Sequence, residues 1–217
     1  MELNCTTDKY EALYAPWLAN PGKLLDAVGW EPGQIILDLC GGTGAISREC
    51  IWRGADPSTV HLLDLNPRCM DDRITIYKGD ANRLGKTFGS MQPDCHRMFD
   101  VVVIRQAAAY LDWSGVQVIW LMALLKPGGK LVFNIFEKAP RVRLKMQEYA
   151  GRTFFEAGFR LLGRVYHLQA SPGLGFDVTR FRQPDLNRMA KLLGYHFDLC
   201  ITGKSNSQTW VCTRRIG

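Results

Sequence analysis

The hydrophobic positions of this chain fall into short runs punctuated by glycine, proline and acid, and the runs set the elements. Ile35, Ile36, Leu37 and Leu39 suit a strand buried on both faces, and Asp38 stands where that strand should end. Gly41, Gly42 and Gly44 follow at once, and residues 45–53 then read as a helix closed by Gly54. The pattern recurs. Residues 59–64 predict a second strand ending in Asp64, and residues 73–77 a third, followed by Gly79-Asp80-Ala81. Residues 99–104 predict a fourth, running into Arg105-Gln106-Ala107-Ala108-Ala109-Tyr110. Residues 116–125, apolar but for Gln117, predict a buried helix, then a turn at Lys126-Pro127-Gly128-Gly129 and a fifth strand over 130–136.

Strands alternating with helices at this spacing argue for an α/β fold with a doubly wound, mostly parallel sheet. Upstream, a helix is expected after Pro21 with Leu24, Leu25 and Val28 inward, and Gly29 to Gly33 turn the chain into the first strand. Earlier still, Tyr10, Tyr14 and Trp17 share one face of a short predicted helix, a stripe suited to core or to closing over a ligand. Beyond residue 136 the alternation stops. Residues 141–150 read as helical, while 153–159, 161–169 and 176–181 read as short strands, a small antiparallel insertion over the crevice. A last helix over 184–193 and strands over 195–202 and 208–213 close the chain. One domain is expected: cap helices in 1–33, a ligand-binding core in 34–136, the antiparallel lid in 137–183, and the closing helix with the last two strands in 184–217.

Composition narrows the class. With 217 residues and 47% hydrophobic content the chain can bury one sizeable core. The longest apolar run is too short to cross a bilayer and the N-terminus has no basic flank with an apolar segment, so a soluble, cytoplasmic protein without a membrane partner is expected. Seven scattered cysteines without a C-x-x-C pair argue against a disulfide framework or a zinc site, and the four histidines are not closely spaced, so no metal is called for. The net charge of +6 is uneven: residues 1–136 carry 13 Lys and Arg against 15 Asp and Glu, residues 137–217 carry 14 against 6. Such asymmetry fits an anionic partner or a merely solvated cationic face.

The chemistry sits at the strand ends. Ligands of open α/β sheets bind outside the carboxyl ends of the strands, so Asp38, Asp64 and Asp80 should converge on one crevice. Asp64 lies 26 residues after Asp38, near the roughly 20-residue separation at which an acid meets ribose hydroxyls; it could instead cap the turn before Asn66 and Pro67. Cys40 stands at the first glycine position of a G-x-G-x-x-G reading and no third glycine follows, which disfavours a hydride-transferring dehydrogenase, and a P-loop lacks its Gly-Lys-Ser/Thr. A nucleoside without phosphates, cradled by glycines and bounded by acids, remains, and S-adenosylmethionine fits.

The chain here resembles the class I S-adenosylmethionine-dependent methyltransferases, and among them enzymes acting on small molecules of amine and amino-sugar type. The likeness is carried by Leu37-Asp-Leu-Cys-Gly-Gly-Thr-Gly44, Leu63-Asp64, Gly79-Asp80-Ala81, Phe99-Asp100 to Ile104 and Leu125-Lys-Pro-Gly-Gly-Lys130. It implies a Rossmann-like, seven-stranded sheet and S-adenosylmethionine as cofactor, leaving S-adenosylhomocysteine. By resemblance, Gly41, Gly42 and Gly44 pack against the cofactor, Asp38 helps hold the methionine ammonium, and the Cys40 carbonyl accepts a hydrogen bond. Asp64, with Leu65 beside it, takes the ribose; Asp80 takes the adenine amino group and Ala81 the ring, with Arg105 at the same crevice.

The implied reaction is in-line displacement at the sulfonium methyl, driven by alignment and desolvation. Tyr14, Tyr110 or His167 could accept or relay the acceptor's proton. The run after the fourth strand is not the Asn/Asp-Pro-Pro-Tyr of amino-methyltransferases acting on DNA, which disfavours a nucleic-acid partner. The expected acceptor is a small molecule methylated at N or O. Arg141, Arg143, Arg152, Arg160, Arg164, Arg180 and Arg182, in or beside the lid, suggest an anionic handle on it. An RNA methyltransferase using the same basic surface, and a non-catalytic cofactor-binding protein, stay open as alternatives; so does a homodimer.

Overall fold

The computed structural model describes residues 20–69, 71–89, 97–108, 111–135, 183–204 and 207–216. The chain divides into two compact units, Ala19–Glu137 with Phe181–Gly217, and Met1–Leu18 with Lys138–Arg180. The second lies outside the described residues, and with it the aromatic N-terminal helix and the antiparallel lid expected over 137–183.

In the first unit the elements run α1 (Pro21–Val28), β1 (Ile36–Leu39), α2 (Ala45–Trp52), β2 (Val60–Asp64), β3 (Thr75–Lys78), α3 (Leu84–Phe88), β4 (Phe99–Ile104), α4 (Gly115–Leu124), β5 (Leu125–Ile135), α5 (Gln183–Gly194), β6 (Phe197–Lys204) and β7 (Ser207–Arg214). Local chemistry fixes the ends. Asn20 caps α1 by accepting from the Gly22 and Lys23 N–H groups, Pro21 supplies the first turn, and Gly29 ends the helix in the left-handed region. Ser114 caps α4 through the Gln117 N–H.

The strands form one seven-stranded sheet in the order β3-β2-β1-β4-β5-β7-β6, parallel except for β7, which runs against both its neighbours. The connection reverses direction between β1 and β4, and this topological switch opens a crevice above their carboxyl ends. Alternate strand residues feed two cores. Leu37, Leu39, Val102, Ile104, Leu131 and Phe133 pack on one face with Leu121 of α4 and Leu193 of α5. Ile36, Val60, Leu62, Val101, Val103 and Val132 pack on the other with Leu24, Leu25 and Val28 of α1.

The last two strands run Phe197–Lys204 and Ser207–Arg214 rather than 195–202 and 208–213, and two further shifts have a visible cause. The third strand begins at Thr75 rather than Arg73, because Asp71 folds back to accept from the Arg73 backbone and guanidinium and holds that residue in a turn. The turn at 126–129 lies within β5 rather than before it: Leu125 already pairs with Phe99, and the register then jumps to Val101 opposite Lys130. Asp100 stabilises the irregularity by accepting from the Ile35 N–H and from Lys126, both at 2.8 Å. Gly129 is required there, since a Cβ would come within 2.9 Å of the Lys126 carbonyl oxygen.

Candidate functional site

The turn after β1 is tied to the end of β2 by backbone alone. The Cys40 and Gly41 N–H groups both donate to the Leu63 carbonyl, at 2.7 and 3.2 Å. Cys40 takes a left-handed φ of 62°, Gly42 54° and Gly44 78°; only the cysteine carries a Cβ into that region. Space enforces glycine as strongly as dihedral angle does. A Cβ on Gly41 would stand 2.7 Å from the Asp38 carboxyl carbon, and one on Gly44 2.7 Å from the Cys69 sulfur.

The three acids hold different positions on this scaffold. Asp38 is buried at 1% exposure, and its Oδ2 accepts from the Ser47 N–H at 3.3 Å and the Ser47 hydroxyl at 3.1 Å. Burial pushes its carboxyl up to about 6; the Ser47 hydrogen bonds and the Arg105 cation pull the other way, and the Asp64 charge adds to the rise. Asp64 is half-buried and braces two loops, Oδ2 accepting from the Gly42 N–H at 3.0 Å and Oδ1 from the Asn66 N–H at 2.8 Å. The turn-capping role open to it from the sequence is therefore real, and it extends to the glycine loop. Its backbone carbonyl also accepts from the Gly79 N–H, linking β2 to the loop after β3. Asp80 opens the turn Ala81–Arg83 by accepting from the Asn82 N–H at 2.9 Å.

Burial first, then the charges of Asp64, Asp38 and Asp80, push the Cys40 thiol well above its usual range. Cys40 is thus a neutral part of the cradle, not a nucleophile. Leu65, 59% exposed, offers an apolar surface next to Asp64. Ala81 is held from behind: its carbonyl accepts a short hydrogen bond from Gln117 Nε2, and Gln117 is only 4% exposed.

On the far side of the switch point, Arg105 and Gln106 leave β4. Gln106 also adopts a left-handed φ, of 62°, and its N–H donates to Asn134 Oδ1 of β5 at 2.8 Å.

Asp38 lies in β1 one residue before its end and Asp64 ends β2, while Cys40, Gly41, Gly42, Gly44, Leu65, Asp80, Ala81 and Arg105 fall on the segments that follow β1 to β4 at their carboxyl ends. Tyr14, Tyr110, His167 and the seven lid arginines lie outside the described residues. Three supporting residues escaped the sequence reading: Ser47, Gln117 and Asn134. A single polar residue in an apolar run marks the last two; nothing sets Ser47 apart from any other helical serine.

No family model matches the chain. Among curated proteins it is similar to the demethylmenaquinone methyltransferase of Beutenbergia cavernae, 31% identical over 121 residues that make up 54% of this chain and 46% of that one. It is also similar to a ubiquinone/menaquinone biosynthesis C-methyltransferase of Shewanella sediminis, 27% identical over 124 residues, 52% of this chain and 47% of the relative. The match spans about half the length of these relatives. Among solved structures it is similar to 1,6-didemethyltoxoflavin-N1-methyltransferase of Burkholderia thailandensis, determined with 1,6-didemethyltoxoflavin and S-adenosylhomocysteine bound. The TM-score is 0.55 at 15% identity, over 97% of this chain and 82% of the other. The likeness to S-adenosylmethionine-dependent methyltransferases implied by the motifs therefore holds in sequence and in architecture, and the fold is the Rossmann-like α/β fold of class I methyltransferases.

Proposed function

We propose that this chain binds S-adenosylmethionine at the carboxyl ends of β1 to β4 and transfers its methyl group to a small-molecule acceptor. The observation that carries the reading is the cradle itself: two glycines packed so tightly that a Cβ would collide, beside three carboxylates carried at the carboxyl ends of the adjacent parallel strands β1, β2 and β3. That donor set suits the ligand. It offers acceptor oxygens to an ammonium, a pair of vicinal hydroxyls and an exocyclic amine.

In this reading Asp38 holds the methionine ammonium, Asp64 the ribose hydroxyls, Asp80 the adenine amino group and the Ala81 backbone the adenine ring. Each Asp64 oxygen already accepts one N–H, and each keeps a further lone-pair direction for a hydroxyl. These existing bonds pre-orient the carboxylate, so little side-chain freedom remains to be lost on binding. The bound group supplies an electrophilic methyl on a sulfonium. The protein's part is to align the acceptor and exclude water, and these two effects supply most of the acceleration in such a displacement.

For the acceptor, the relatives named for quinones and for toxoflavin support a small planar ring system bearing oxygen. A ring carbon or ring nitrogen thereby joins the N or O of an anionic metabolite as the atom methylated. Isothermal titration with S-adenosylhomocysteine, then a methyl-transfer assay with 1,4-dihydroxynaphthalene under argon, tests both parts. Micromolar binding with transfer supports them; failure of the folded protein to bind would overturn the cofactor reading.

A further inference from the structure

Two buried donors stand unanswered at the carboxyl ends of β4 and β5, next to the residues that the cofactor reading uses. Asn134 is 3% exposed, and its Nδ2 has no hydrogen-bond partner among the described residues; the same holds for the buried Gln106 Nε2. Asn134 is not ambiguous in orientation. Its Oδ1 accepts from the Gln106 N–H, so the other end of the amide must be the NH2 group. Leaving such donors unpaired in a protein interior is costly and rare, and a native structure keeps them where something else completes the bond.

Their place in the sheet says what that is. Leu131, Phe133 and Ile135 of β5 feed one core and Val132 the other, so alternation puts Asn134 on the face of Val132. Asp38, Val103 and Val132 share one level across β1, β4 and β5. Arg105 and Asn134 come two residues further toward the carboxyl ends on the same face, and Thr209 pairs with Asn134 from β7. A polar row thus tops an apolar sheet face, beginning beside the cofactor acids and continuing away from them. Gln106 follows Arg105 with a left-handed backbone, and its N–H is held by Asn134 Oδ1 of that row.

Resting on the methyl-transfer reading above, we propose that Asn134 and Gln106 form a donor-only seat for an oxygen of the methyl acceptor, a carbonyl or a phenolate. The free end of the Asn134 amide is an N–H group, so it selects a lone-pair-bearing oxygen and rejects an ammonium, and the Gln106 amide can turn its own N–H toward the same oxygen. It also suits the chemistry. A ring carbon becomes a nucleophile when electron density flows into it from a ring oxygen, and neutral amide donors orient that oxygen without protonating it. The carbon–methyl bond forms as the sulfur–methyl bond breaks, the sulfonium leaves as a neutral thioether, and the displaced ring proton passes to water.

The same donors would suit the carboxylate of the cofactor's methionine, and the experiment separates the two sources. Binding of 1,4-dihydroxynaphthalene and of naphthalene, its oxygen-free counterpart, is measured under argon with S-adenosylhomocysteine present, for the wild type, Gln106→Met and Asn134→Leu. The proposal expects the diol to bind the wild type at least about tenfold more tightly than naphthalene, and each variant to erase most of that preference. The affinity for S-adenosylhomocysteine should stay within about twofold, which also reports that the variant is folded. Should Asn134→Leu fail to fold, Gln106→Met alone decides. A diol preference unchanged in the variants, or absent from the wild type, overturns the seat. So does an equal loss of S-adenosylhomocysteine affinity, which would assign the oxygen to the cofactor. A wild type that keeps the diol preference but does not bind S-adenosylhomocysteine would break the cofactor reading and leave the seat standing.

Discussion

The two sides of the crevice solve opposite problems. On the β1–β3 side the polar groups are acceptors, and the protein has already engaged them: Ser47 holds Asp38, and the Gly42 and Asn66 N–H groups hold Asp64. On the β4–β5 side the polar groups are buried donors left open at Gln106 and Asn134. A pre-engaged set is rigid and suits a ligand of fixed shape that every turnover shares. An open set stays costly until filled, and so discriminates sharply for the ligand that fills it.

The contrast can be broken most severely at its most crowded atom. Gly41→Ala forces a Cβ against Asp38 and Leu62, which should cost about 1–3 kcal/mol of stability in a denaturant melt. The affinity for S-adenosylhomocysteine should fall at least about 100-fold, because the Asp38 carboxyl must move. Binding within a few-fold of wild type would show that the cradle is looser than its packing indicates.

Next in size is the pH response of Asp38. Its folded value of about 6 lies above the ordinary 3.8, so the folded state binds the proton more tightly. The contribution is fully present below about pH 4 and is lost as pH rises through 6, an effect on the order of 3 kcal/mol and opposite in sign to that of a salt-bridged acid. Affinity for S-adenosylhomocysteine should climb over the same interval, as the carboxylate that meets its ammonium forms. Asp38→Asn should flatten both profiles, read by thermal melts and titrations from pH 4 to 8.

Smaller effects sharpen the picture. Gln117→Leu removes the hydrogen bond to the Ala81 carbonyl and leaves that oxygen buried; S-adenosylhomocysteine should bind about tenfold more weakly. Asp80→Asn keeps an oxygen for the Asn82 N–H at a partly exposed site, so stability should move by less than about 0.5 kcal/mol and affinity by about threefold. Calorimetry checks both.

How far the sequence could be read follows the same division. β1, β2 and β4 are legible because each is a compact apolar run ended by a glycine turn, an acid or an arginine, and the cradle is legible because three glycines and three acids sit at strand ends in order. The start of β5 is not: Leu125 belongs equally to a buried helix and to a strand, and only pairing with Phe99 decides. The short helix Leu84–Phe88 carries too few residues to show a period. The amide pair was invisible for a different reason. Asn134 on β5 and Gln106 just past β4 lie 28 residues apart, and neither reads as a site until the pairing of the two strands brings them together.

The central claim is that this crevice is an S-adenosylmethionine site organised by Asp64, and titration calorimetry with S-adenosylhomocysteine on the wild type and Asp64→Ala tests it most directly. The variant loses the carboxylate that would meet the ribose and the brace on the Gly42 N–H together. The account predicts micromolar binding by the wild type and a loss of at least about 100-fold in the variant. No binding by the folded wild type, or equal affinity in the two proteins, would contradict it.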